Sequence, residues 1–199
     1  MIAFSLKNRG FNQVDSFNWN LLNFKYIVKD KWISLRADTC QMPNGKIVEP
    51  YYVLEYPTWV NIVALTKNQE IILVKQYRHG LQKTVLELPC GAVEAEDISP
   101  LAAAKRELLE ETGYTSDNFV ETGILSPNPA THNNLTHCFL ATNVEKVSEL
   151  NLDDTEQIDI SLLPLERTIE VIESGIVLQA LHISSLFLAL KTLGNLHFR

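Results

Sequence analysis

Residues 105–114 read KRELLEETGY, and no other stretch narrows the chain's options as much. Ser99 and Pro100 stand upstream and Gly113 downstream. Serine is a preferred N-cap, proline suits the first helical position, and glycine accepts the left-handed conformation that ends helices. A helix from about Pro100 to Thr112 is therefore expected. On it, Glu107, Glu110 and Glu111 stand at i, i+3 and i+4 and share one face. Ala103 falls on that face a turn earlier, and Leu101, Ala104 and Leu108 form the neighbouring apolar stripe. The helix can pack on a core and still present three carboxylates along one edge.

That presentation costs stability. Like charges at these spacings oppose each other by roughly 0.2–0.5 kcal/mol per pair. No lysine on the face offsets this, and the helix dipole disfavours negative charge near the C-terminal end. A bound divalent cation reverses both penalties, and hard carboxylate oxygens suit Mg2+ or Mn2+. A plain solvated acidic face is the competing reading. The surroundings weigh against it. Gly91 opens a loop leading straight to the helix, Arg106 can pair with a loop acid such as Asp97, and Gly113 stops the helix immediately after the acids.

Around this helix the chain reads as mixed α/β. FKYIVKD and KWISLRAD are rich in β-branched and aromatic residues, MPNG is a turn signal, and KIVEPYYVLEY is another extended run. Residues 1–57 thus form a small antiparallel β unit, and Pro57 punctuates the chain. TWVNIVALT and EIILVKQY flank KNQ as a hairpin of largely buried strands, and VLELP is a short strand ended by Pro89. Further strands are expected at 119–125, 135–142 and 156–161, then helices at 165–174 and 177–193. The apolar run IVLQALHISSLFLALKTLG is broken by Gln179, His182 and two serines, which makes it a buried amphipathic helix and not a membrane span.

Composition excludes more than it selects. At 199 residues the chain holds one domain, or one plus a small appendage. A formal net charge of −7 argues against nucleic-acid and anionic-membrane partners. Cys40, Cys90 and Cys138 are odd in number and widely spaced, so neither a disulfide framework nor a metal knuckle is indicated. With no signal-peptide pattern at the N-terminus, a reducing, cytoplasmic setting is expected.

GAVEAEDISPLAAAKRELLEETGY resembles the Nudix box: Gly, five residues, Glu, seven residues, then Arg-Glu-hydrophobic-any-Glu-Glu-any-Gly-hydrophobic. Arg106, Glu107, Leu108, Glu110, Glu111, Gly113 and Tyr114 match the second half. In the first half Asp97 replaces the glutamate, and eight residues separate it from Arg106. The extra residue is assigned to the loop before Ser99. Glu96 is the alternative partner for Arg106. The resemblance implies a Nudix α/β/α sandwich with a mixed sheet, preceded by the small N-terminal β unit. It implies Glu107 and Glu111 as metal ligands, joined by Glu110 as ligand or proton acceptor and by the backbone carbonyl of Cys90. The chemistry is in-line attack of an activated water on a diphosphate.

Beyond the box, ILVKQYRHG and VLELPCGAVE resemble the ADP-ribose and nucleoside-diphosphate-sugar pyrophosphatases, and Pro129 lies fifteen residues past Tyr114. This implies Arg78 as the phosphate-binding arginine, with Gly91 and Pro129 also at the substrate, and Arg106 in the catalytic set. It implies a homodimer through the N-terminal unit. One departure matters. The loop SPNPATHNNLTHC carries no acid where that subgroup has one. His132 is then a second candidate base beside Glu110, while Asn133 and Asn134 suggest a different sugar, base or placement of the general base. His137 reads as structural, and Cys90 as a small buried residue. Trp19, Trp32 and Trp59 are candidates for stacking on a base, with burial the favoured reading for each. Two functions stay open: a metal-dependent pyrophosphohydrolase of a nucleotide-diphosphate small molecule, or a Nudix-fold sensor that binds such a nucleotide without hydrolysing it.

Overall fold

The computed structural model describes residues 17–152 and 157–196. The chain separates into two compact units, Met1–Glu55 and Tyr56–Arg199.

The first unit holds β1 (Asn20–Lys29), β2 (Ser34–Gln41) and β3 (Ile47–Glu55), antiparallel and in that order. The MPNG turn joins β2 to β3, with the Gly45 amide donating to the Met42 carbonyl at 2.9 Å and Gly45 at φ 83°. Arg36 on β2 clamps the sheet, bonding Asp38 at 2.6 Å and Glu55 at 2.7 Å. Every residue of β1 is exposed. Trp19 and Trp32 are exposed as well, which overturns the burial expected for them. No helix lies among residues 17–55 to cover either face of this sheet. Trp59 belongs to the second unit and is half-buried.

The second unit is built on β4 (Trp59–Thr66), β5 (Glu70–Arg78), β6 (Lys83–Glu87), β7 (Cys90–Ala92), β8 (Tyr114–Thr115), β9 (Asn118–Leu125), β10 (Thr136–Lys146) and β11 (Asp159–Pro164). The path runs β11-β5-β4-β10-β8, with β6 on β5, β7 on β4 and β9 on β10. β4 and β10 are parallel and the other pairs antiparallel, so the sheet is mixed.

Its helices are α1 (Pro100–Thr112), α2 (Thr168–Glu173) and α3 (Ala180–Thr192). Alternation along β4 divides the core. Val60, Ile62 and Ala64 pack with Ala103, Ala104 and Leu108 of α1. Val63 and Leu65 pack with Val171 of α2 and Leu186, Ala189 and Leu190 of α3. A helical layer thus covers each face of the sheet, as period-2 strands buried on both sides require.

Several boundaries differ from expectation. β10 continues to Lys146 because its far end pairs with β8. The strand expected at 156–161 is β11, which begins at Asp159; residue 156 lies outside the described residues. The helix expected over 165–174 is a 3-10 turn, Leu165–Arg167, followed by α2. α3 starts three residues late because the Gln179 side chain caps it, accepting from the Leu181 amide at 2.6 Å. Among the described residues, no helix is long and apolar enough to cross a membrane.

Candidate active site

α1 carries the site, and its ends are fixed locally. The Ser99 hydroxyl accepts from the Ala102 amide at 3.1 Å. Gly113 closes the helix in the left-handed conformation, φ 73°, with its amide donating to the Leu109 carbonyl at 2.8 Å. Only glycine fits there, since a Cβ would meet the Ser148 carbonyl oxygen at 2.1 Å.

Arg106 gathers the loop and the helix. Its guanidinium donates to Asp97 Oδ2 at 2.9 Å, to the Ala92 carbonyl at 3.0 Å, to Glu107 at 2.9 Å and to Glu110 at 3.0 Å. Of the two loop acids considered, Asp97 takes the arginine. Its other contact, from the Glu94 amide at 2.9 Å, folds the loop on itself. The Arg106 guanidinium holds the Asp97 carboxyl below its usual range. The added residue of the box is absorbed in the loop, where Ile98 is 95% exposed and the Asp97–Arg106 pair still forms.

The three glutamates have distinct settings. Glu111 is buried and its Oε2 accepts from the Cys90 amide at 3.0 Å. Glu107 lies over Gly91 so closely that a Cβ there would sit 2.0 Å from its Oε1. Glu110 is the most exposed of the three and keeps its bond to Arg106. Burial pushes the Cys90 thiol well above its ordinary range, beside Glu111 and Glu87, which disfavours its thiolate.

Arg78 stands at the end of β5 and bonds Glu87 on β6 through Nε at 2.8 Å and a terminal nitrogen at 2.6 Å. Gln76 donates to the same Glu87 oxygen at 3.1 Å. Arg78 also lies within electrostatic reach of Cys90 and Glu111. Glu87 is a site residue that the sequence reading passed over. It is buried at 4% exposure in the otherwise apolar run TVLEL, and a lone carboxylate on the inward face of a strand was the available signal.

The loop of residues 126–135 behaves differently. His132 stacks on Tyr56, with centroids 5.4 Å apart and planes 17° apart, and stands edge-on to Trp59 at 6.4 Å. Its Nδ1 is 3.0 Å from the Thr131 hydroxyl. None of these partners is an α1 carboxylate. Pro129 is exposed in the turn where the Thr131 and His132 amides both donate to the Asn128 carbonyl. Asn133 accepts from the Tyr56 amide at 3.2 Å and Asn134 donates to the Pro57 carbonyl at 2.9 Å. The two asparagines pin segment 56–57. His137 pairs with Glu121 across β9 and β10.

Among the described residues, no three His, Cys, Asp or Glu side chains form a ready-made cation cage. Arg106 draws Glu107 and Glu110 to itself and the Cys90 amide holds Glu111. The donor chemistry nevertheless fits a hard divalent cation: three carboxylates on one helical edge, one permanent cation shared between two of them, and a glycine that leaves the approach open.

Residues 56–176 match the NUDIX domain, and residues 19–54 match the nucleoside diphosphate sugar hydrolase N-terminal domain. The chain is 32% identical over 155 residues to the ADP-ribose pyrophosphatase of Bacillus subtilis, covering 77% of this chain and 83% of that protein. It is 27% identical over 158 residues to the methanol dehydrogenase activator of Bacillus methanolicus, covering 79% and 84%. The crystal structure of an ADP compounds hydrolase superposes with a TM-score of 0.78 at 23% identity, over 89% of this chain and 97% of that one.

Proposed function

The chain belongs to the Nudix family, whose hydrolases generally use divalent metals, and from that premise we propose that it cleaves the pyrophosphate bond of a nucleoside diphosphate linked to a sugar or a similar group. The products are a nucleoside monophosphate and a phosphorylated second moiety. The observation carrying this reading is the joint placement of Glu107, Glu110 and Glu111 around Arg106 and the Gly91 loop. The ADP-ribose pyrophosphatase among its relatives supports the substrate class.

Glu107, Glu110, Glu111 and the Cys90 carbonyl would hold Mg2+ or Mn2+. When bound, such a cation supplies charge neutralisation for the diphosphate and makes water more acidic. Arg78, pre-aimed by Glu87 and Gln76, binds a phosphate oxygen. Arg106 keeps the loop against the helix and orients Glu107 and Glu110, a positioning role. Gly91 lets Glu107 approach the backbone. Glu110, the most exposed acid, accepts the proton of the attacking water. Glu110 is favoured as the base over His132, whose ring stacks on Tyr56. The N-terminal unit, residues 1–57, pairs with a second copy through the apolar surface of β1, giving a cytoplasmic homodimer; residues 58–199 form the hydrolase domain.

A sensor is the second reading, favoured by the acid-free loop 126–135 and its structurally committed asparagines. A screen of ADP-ribose, nucleotide sugars and dinucleoside polyphosphates with Mg2+ or Mn2+, with product identification in 18O-water, separates the two. Labelled monophosphate from one of them is expected. Tight binding of a nucleotide with no turnover under either metal makes the protein a sensor.

A further inference from the structure

His182 occupies a core position. It lies on the face of α3 that buries Ser185, Leu186, Ala189 and Leu190, and is itself 1% exposed. An imidazole there needs a partner. Its Nδ1 accepts the Leu88 backbone N–H at 3.3 Å, so the ring proton sits on Nε2. Burial first, and then the nearby Arg78 guanidinium, push its pKa from 6.5 down to about 3. The ring is thus held in its neutral form, and Nδ1 contributes as an acceptor.

Leu88 needs that acceptor because of where it stands. The β6 ladder ends at Glu87, paired with Val74, and the β7 ladder begins at Cys90, paired with Asn61 on a different strand. Pro89 between them has no N–H, and its carbonyl is taken by the Ile62 amide at 2.9 Å. The fully buried Leu88 is thus the one crossover residue whose amide belongs to neither ladder. Its neighbours serve the site: Glu87 holds Arg78, and the Cys90 amide holds Glu111. A shift of this peptide moves the phosphate-binding cation and a metal-side carboxylate together.

We propose that His182 is a positioning residue for the hydrolysis, locking the β6–β7 crossover so that Arg78 and Glu111 keep their mutual placement. This rests on the hydrolase reading above. The test compares His182→Leu, His182→Asn and His182→Gln in the full chain. Leucine keeps bulk without an acceptor, asparagine puts Oδ1 near the Nδ1 position, and glutamine carries its acceptor one bond further. Three readouts are taken: hydrogen exchange of the Leu88 amide, Mn2+ affinity without substrate, and kcat and KM for ADP-ribose. The leucine and glutamine variants should exchange Leu88 faster and lose about tenfold in Mn2+ affinity and in kcat, with KM less affected. Asparagine should restore all three. If asparagine is as impaired as glutamine, or leucine matches wild type in exchange and Mn2+ affinity, the inference is wrong. Should leucine fail to fold, the asparagine–glutamine contrast still decides. If wild type hydrolyses nothing while the exchange and Mn2+ pattern holds, the hydrolase reading fails and the positioning of Glu111 stands.

Discussion

β1 and β4 are strands of similar apolar content with opposite fates. NLLNFKYIVK is exposed at every position, whereas WVNIVALT is buried from Val60 to Thr66. The difference lies in what covers them. β4 has α1 on one face and α3 on the other. Leu21, Leu22, Phe24 and Ile27 of β1 have no second layer among residues 17–55, and each is 46–54% exposed. Apolar residues in an extended run thus specify a strand, while burial is supplied by a neighbour that the run does not name. One region completes its own core, and the other leaves its apolar side chains exposed.

The contrast can be broken most forcefully in the self-sufficient region. Glu107→Gln and Glu111→Gln each remove a carboxylate charge without changing shape, and should lower kcat by about 10²–10³-fold while Tm and oligomeric state hold. Turnover within tenfold of wild type in both, measured at saturating Mg2+, would remove the metal assignment. Next comes Gly91→Ala, whose methyl group collides with the Glu107 carboxylate. Displacing that group should cost about 10²-fold in kcat, again with no change in assembly by light scattering.

The exposed region should answer in the opposite way. Phe24→Asp places a charge on β1, and burial of one such ring contributes about 1.5–3 kcal/mol. The dimer dissociation constant should rise about tenfold or more, read by sedimentation, with the melting of residues 56–199 unchanged. A monomeric wild type at micromolar concentration would show that β1 is covered by something other than a second copy.

The smallest single step is in pH. Residues 1–55 contain no histidine, so proton-linked loss of stability near pH 6 belongs to the second unit. With the folded pKa of His182 pushed down to about 3 from 6.5, the unfolded chain binds a proton that the folded one refuses throughout that window. Stability is complete above pH 6.5 and falls as pH drops, by about 1.4 kcal/mol per unit for this group. Urea titrations from pH 7 to pH 4 should show the slope in wild type and a shallower one in His182→Leu.

What the sequence displayed was whatever is decided locally. Ser99, Pro100 and Gly113 bound α1 by their own backbone preferences, and the spacing of Glu107, Glu110 and Glu111 gave the shared face. Long-range partners were hidden. Nothing in TVLEL says that Glu87 faces Arg78, since strand pairing decides it. Asn133 and Asn134 read as ligands of something because their partners, the backbone at Tyr56 and Pro57, lie 77 positions away. The exposure of Trp19 and Trp32 is likewise a property of layers and not of residues.

The Leu88–His182 bond joins positions 94 residues apart. A ribosome adding about 5–20 residues per second takes roughly 5–20 s to travel from one to the other. During that interval a nascent chain already carries the strand that holds Arg78, and then the acids of α1, while the amide between them has only water for a partner. Completion of the crossover therefore waits on the 94 residues of chain that separate the loop from its brace.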